Sequence, residues 1–163
     1  MSAPPAALLV LGWGNLSRGD DALGPLVIAG LRRCLPQDWR DQVELLEDYQ
    51  LQIEHALDLS GRSRILFVDA SLNCASPFEA RPVSAARDSS FTSHALSPQA
   101  LLQVFSDIQG YAPPPATLLA IRGESFELGE TLGSSAQSHL DAALEWSLSW
   151  IFEEPHGIDG TNR

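Results

Sequence analysis

The stretch Leu8–Pro25 restricts the fold more than any other part of the chain. Leu8-Leu9-Val10-Leu11 is a short apolar run that reads as a buried strand. Gly12, Gly14 and Gly19 then punctuate a loop, and Asp20 and Asp21 stand where a helix begins. A strand, a glycine loop and a helix start place functional groups at the carboxyl edge of an open α/β sheet. The usual occupant of such a loop is a phosphate, held by free N–H groups and the positive end of the helix dipole. Asp20 and Asp21 would repel it. The spacing also departs from a dinucleotide fingerprint, because Ser17 occupies the position of the third glycine. A carboxylate at a helix start is stabilised as the anion. It can bind a cation, act as a base or cap the helix, and the loop therefore reads as cation-facing.

The remaining elements follow in alternation. A helix is expected from Ala22 to Leu35, with Val27, Leu31, Cys34 and Leu35 on its apolar face and Pro25 in its first turn. Gln42–Glu47 passes as a strand, and Ile53–Leu59 as a short helix closed by Gly61. Ile65-Leu66-Phe67-Val68 is apolar throughout, which suits a central strand ending in Asp69. Phe78–Val83 reads as an edge strand because it carries Pro82. Ser97-Pro98 starts a helix that shows Leu101, Leu102, Phe105 and Ile108 and stops at Gly110. After the prolines at 113–115 comes a last buried strand, Thr117–Ile121. A final helix, Ser135–Phe152, is expected to bury Leu140, Leu144, Leu148 and Ile151. Trp146 and Trp150 belong to its core side.

This order predicts an α/β protein, a single three-layer α/β/α sandwich with a mostly parallel central sheet of about five strands. One domain is expected over 1–163, with 1–5 and 153–163 as flexible tails. The 44% hydrophobic and 19% charged content suits a compact fold. A formal net charge of −11 argues against nucleic acid and against anionic membrane surfaces. No apolar run approaches the roughly 20 residues of a membrane span, and the N-terminus lacks the basic region of a signal peptide. Cys34 and Cys74 have no metal or redox spacing and read as reduced thiols, so a cytoplasmic setting is expected.

Parallel strands share one carboxyl edge, and three side chains qualify to meet there: Asp21, Asp69 and His94. Two carboxylates and an imidazole suit zinc or nickel and leave coordination positions open. A metal so held polarises a carbonyl or activates water. Each residue also has a simpler reading. Asp21 would cap the first helix, Asp69 would close a turn through Asp69-Ala70-Ser71, and His94 would be an ordinary loop histidine. His55, His139 and His156 show no partner spacing. Trp13, flanked by glycines, is expected to lie in the loop, where its ring would cover a bound peptide. A serine hydrolase is disfavoured because no Gly-x-Ser-x-Gly elbow follows a strand. A dyad sharing one proton would need Asp21 and Asp69 within a few ångströms of each other.

These residues carry a resemblance. Gly12-x-Gly14-Asn15, then Asp20-Asp21-x-x-Gly24, an apolar strand ending in Asp69, and Ser93-His94-x-Leu96 before a helix are similar to the nickel–iron hydrogenase maturation endopeptidases. The likeness runs from Leu8 to about Ile151. The wording around Gly12 and His94 most resembles the branch serving soluble, bidirectional NAD-linked hydrogenases. The resemblance implies a protease that removes the C-terminal extension of a hydrogenase large-subunit precursor once nickel is inserted. It implies Asp21, Asp69 and His94 as the metal-contacting and catalytic set, although some relatives carry glutamate in place of Asp21. Trp13, Gly14, Asn15, Asp20, Gln50 and Glu54 are expected on the substrate side. Nickel would arrive on the substrate, with no organic cofactor, and the protein would act as a monomer. Two other classes use the same features: a non-catalytic nickel-sensing chaperone, and a small-molecule or nucleotide-binding α/β protein.

Overall fold

The computed structural model describes residues 3–87 and 96–153. Five strands form one sheet: β1 (Leu8–Trp13), β2 (Val43–Asp48), β3 (Arg64–Ser71), β4 (Phe78–Val83) and β5 (Ala116–Arg122). Three helices flank it: α1 (Leu23–Cys34), α2 (Pro98–Gln109) and α3 (Ser134–Phe152). The strand order is β2-β1-β3-β5-β4. All neighbours run parallel except β4, which pairs antiparallel with β5. The fold is the expected α/β/α sandwich, and β3 lies at its centre with every apolar side chain from Ile65 to Val68 buried.

Alternation along the strands splits the core into two layers. Leu8, Val10, Leu66 and Val68 pack with α1 and α3. Leu9, Leu11, Ile65 and Phe67 pack with α2 and the 3-10 turn Ile53–Leu59. By that parity Asp69 belongs to the face covered by α2. Local chemistry sets the ends of α2: the Ser97 hydroxyl accepts from the Ala100 N–H at 3.1 Å, Pro98 opens the first turn, and Gly110 closes it at φ +79°. β4 holds an edge, where Pro82 costs no ladder bond to a further strand.

Several expectations need correction. The chain enters α1 through a separate 3-10 turn, Gly19–Ala22, and Cys34 is exposed rather than apolar-facing. Ile108 is exposed, because α2 covers the sheet with Leu101, Leu102 and Phe105. In α3 the fully buried positions are Ala136, Ala143, Ser147, Trp150 and Ile151, while Leu140, Leu144 and Leu148 are half-buried. Small residues face inward there, letting α3 come close enough for Leu144 to lodge over Gly30 of α1. Trp150 is core as expected, and the Arg64 guanidinium stacks on its ring at 4.4 Å. Directly after the tail expected at 1–5 the chain is held at Ala6, whose carbonyl accepts from Arg62 at 2.8 Å. Residues 154–163, the greater part of the other expected tail, lie outside the described residues. Among the described residues no helix is long and apolar enough to cross a membrane.

Candidate functional site

The carboxyl ends of β1 and β3 adjoin, with Gly12 paired to Val68. The start of α1 sits directly on them: a Cβ at Gly24 would lie 2.3 Å from the Trp13 carbonyl oxygen and 2.9 Å from that of Val68. Asp21, three residues earlier, is thereby delivered beside Asp69. Gly14 makes the approach possible. Its φ is +151°, and an added Cβ would lie 2.0 Å from the Asp21 carbonyl oxygen. Gly14→Ala is accordingly expected to destabilise the fold by roughly 2 kcal/mol or more, measured by urea unfolding. A loss below about 0.5 kcal/mol would contradict this packing.

The two adjacent aspartates have different environments. The Asp21 carboxylate accepts the Asn15 N–H at 2.9 Å. It caps no helix, since α1 has Ala22 at its N-cap and no side-chain cap bond. Asp20 is 3% exposed. Its carboxylate accepts backbone N–H groups from Glu124 at 2.7 Å, Ser125 at 3.3 Å and Gly133 at 2.9 Å. The expectation that Asp20 lies on the substrate side is therefore corrected: it is buried as the anchor of the segment joining β5 to α3. Buried carboxylates persist where hydrogen bonds satisfy them, and this one is satisfied by the backbone.

Asp69 lies inside β3, two residues before the strand ends. The turn beyond is made by Ser71 instead, whose hydroxyl accepts from the N–H groups of Asn73 at 3.1 Å and Cys74 at 3.2 Å. Burial of the Asp69 carboxyl, with the Asp21 charge beside it, pushes its pKa up to about 7, against a smaller opposing effect from the Ala70 N–H. The two acids thus share one electrostatic environment. One of them retains a proton near neutrality, which suits a general acid and base acting together or a pair receiving a dication. Among the described residues no three His, Cys, Asp or Glu side chains converge as a metal-holding group. His94, the expected third member, lies outside the described residues.

The other predicted positions divide. Trp13 closes β1 instead of lying in the loop. It is 9% exposed, with its ring edge-on to Phe67 at 6.1 Å, so it is a core residue and not an open cover for a peptide. Asn15 lies on the rim, where its amide donates to the Tyr49 hydroxyl at 3.0 Å. Gln50 and Glu54 are exposed beyond β2. Sequence reasoning missed His55. It is buried, its Nδ1 accepts the Gln52 N–H at 2.9 Å, and its Nε2 faces the Asp48 carboxylate at 3.1 Å. Nδ1 being an acceptor, Nε2 carries the ring proton. This pair fixes the chain leaving β2 against the Gly14 loop, whose N–H donates to the Asp48 carbonyl at 3.1 Å. The only signal was a Gln and a His at capping-box spacing.

No protein-family model matches the chain, and no curated protein matches it by sequence. Solved structures do match. The NiFe hydrogenase maturation protease HycI of Thermococcus kodakarensis KOD1 superposes with a TM-score of 0.71 at 19% identity, over 91% of this chain and 94% of that one. The hydrogenase maturating endopeptidase HybD of E. coli gives 0.69 at 25% identity, over 88% and 91%. A hydrogenase 2 maturation peptidase from a Thaumarchaeota archaeon gives 0.62 at 22%, over 90% and 99%. The structural neighbours are hydrogenase maturation proteases.

Proposed function

We propose that this chain is an endopeptidase that removes the C-terminal extension of a nickel-loaded hydrogenase large-subunit precursor. One observation carries the reading: Asp69 retains a proton near pH 7 beside the charged Asp21, on the rim of a fold shared with maturation proteases. The Asp21 carboxylate is oriented by the Asn15 N–H and takes the proton from an attacking water. The Asp69 carboxyl gives its proton to the leaving amine, so the peptide C–N bond breaks as the new C–O bond forms. Nickel belongs to the substrate. Its docking against Asp21, Asp69 and His94 would report that the precursor is loaded. The Asp21 carboxylate supplies the charge for such a cation, while Asp69, held protonated chiefly by burial with the Asp21 charge adding to it, keeps its proton for the leaving amine. Asn15, Gln50 and Glu54 flank the approach. The client is the large subunit of a soluble NAD-linked hydrogenase, and the setting is cytoplasmic.

Loaded and nickel-free precursor, incubated separately with the chain, test the proposal. The loaded form is expected to lose its extension and the empty form to keep it. Equal trimming of both would remove the role of nickel, and trimming of neither would remove the protease.

A further inference from the structure

Exposed apolar side chains stand at the same sheet edge as the aspartate pair. Leu16, Tyr49, Ile53 and Leu128 are 64%, 63%, 61% and 68% exposed, and each follows the carboxyl end of a strand. Hydrogen bonds tie the segments that carry them to one another. The Asn15 side chain donates to the Tyr49 hydroxyl at 3.0 Å, and the Gly129 N–H donates to the Ser17 carbonyl at 2.7 Å. The Gln52 amide reaches Asp48 at 3.5 Å, next to Ile53. Isolated exposed apolar residues are ordinary, but four tied together around a reactive rim are the profile of an interaction site.

The surround is acidic. Asp48 and Glu54 border the patch on the β2 side, and Glu127 and Glu130 on the loop that Asp20 anchors. Arg18 and Arg122 also lie on this rim, with Arg122 paired to Glu124 at 3.4 Å. The segments are held rigidly, by His55 on one side and Asp20 on the other, so little ordering would accompany docking.

We infer that this face docks the precursor, through an apolar patch flanked by lysine and arginine side chains around the bond to be cut. The inference rests on the proposed function. The apolar residues would supply residence time, while the acidic border would set the encounter rate and the register.

Calorimetric binding of purified nickel-loaded precursor tests it, with trimming followed separately by mass. Leu16→Ser with Leu128→Ser should weaken binding about tenfold or more. Glu54→Gln with Glu127→Gln should slow association and flatten its dependence on salt. Ile108→Ser, exposed on α2 at the opposite edge, should bind as the unaltered chain does. Unchanged affinity in the leucine pair, or no binding by the unaltered chain, overturns the docking face. Binding that follows the predicted pattern without trimming leaves the docking face standing and removes the protease.

Discussion

Asp69→Asn is expected to reduce precursor trimming by at least about a hundredfold while making the fold more stable at and above neutral pH. The change keeps the shape of the side chain and removes its proton chemistry. The stability effect follows from burial. Asp69 holds its proton up to about pH 7 in the folded chain, whereas the ordinary value is 3.8. Between those values the folded state binds the proton and the unfolded state does not. The stability contributed by the protonated group is thus complete below pH 3.8, declines as pH rises through the window, and is gone above about 7. That displacement corresponds to roughly 4 kcal/mol at most. Asparagine carries no such loss. The variant's advantage in urea unfolding should therefore be small near pH 4 and grow to a plateau above 7. An advantage independent of pH would contradict the raised pKa that burial and the Asp21 charge give Asp69, and trimming at the original rate would remove Asp69 from the chemistry.

Asp20→Ala should be the most damaging single change to the fold, at about 4 kcal/mol or more. Each hydrogen bond to a buried charge is worth about 1.5–3 kcal/mol, and the substitution leaves three N–H donors without their partner. A domain of this kind has about 5–15 kcal/mol in total. Urea unfolding measures the loss, and hydrogen exchange at Glu124, Ser125 and Gly133 should show it concentrated in the segment between β5 and α3. A loss under about 1 kcal/mol would contradict the assignment of Asp20 as the anchor. Asp21→Ala, one residue on, should cost much less stability, because among the described residues its carboxylate accepts a single hydrogen bond, from the Asn15 N–H. The neighbouring aspartates thus separate by their effects: one sustains the fold and the other faces the rim.

The elements most legible in the sequence are those whose signals are local. β4 and α2 lie where an edge proline, a Ser-Pro start and a terminal glycine put them. The placement of β1 and β3, and with them Asp21 and Asp69, followed from apolar runs that fit only a buried sheet. Tertiary contacts left no such trace. The role of Asp20 depends on amides more than a hundred residues away. Trp13 is core because β1 extends one pleat further than its glycines suggest, and its ring meets Phe67 on the adjacent strand. In α3 the leucine stripe packs on the core but only half-buried, apart from the fully buried Ile151, because small residues take the closest approach. His55 owes its burial to Asp48 at the end of β2, a partner that periodicity cannot reveal.

The most direct measurement is the intact mass of a purified nickel-loaded large-subunit precursor before and after incubation with this chain at neutral pH, with Asp69→Asn as the blank. The account predicts loss of one C-terminal peptide and a single new C-terminus, with the blank unchanged. A precursor that keeps its full mass with the unaltered chain would contradict it.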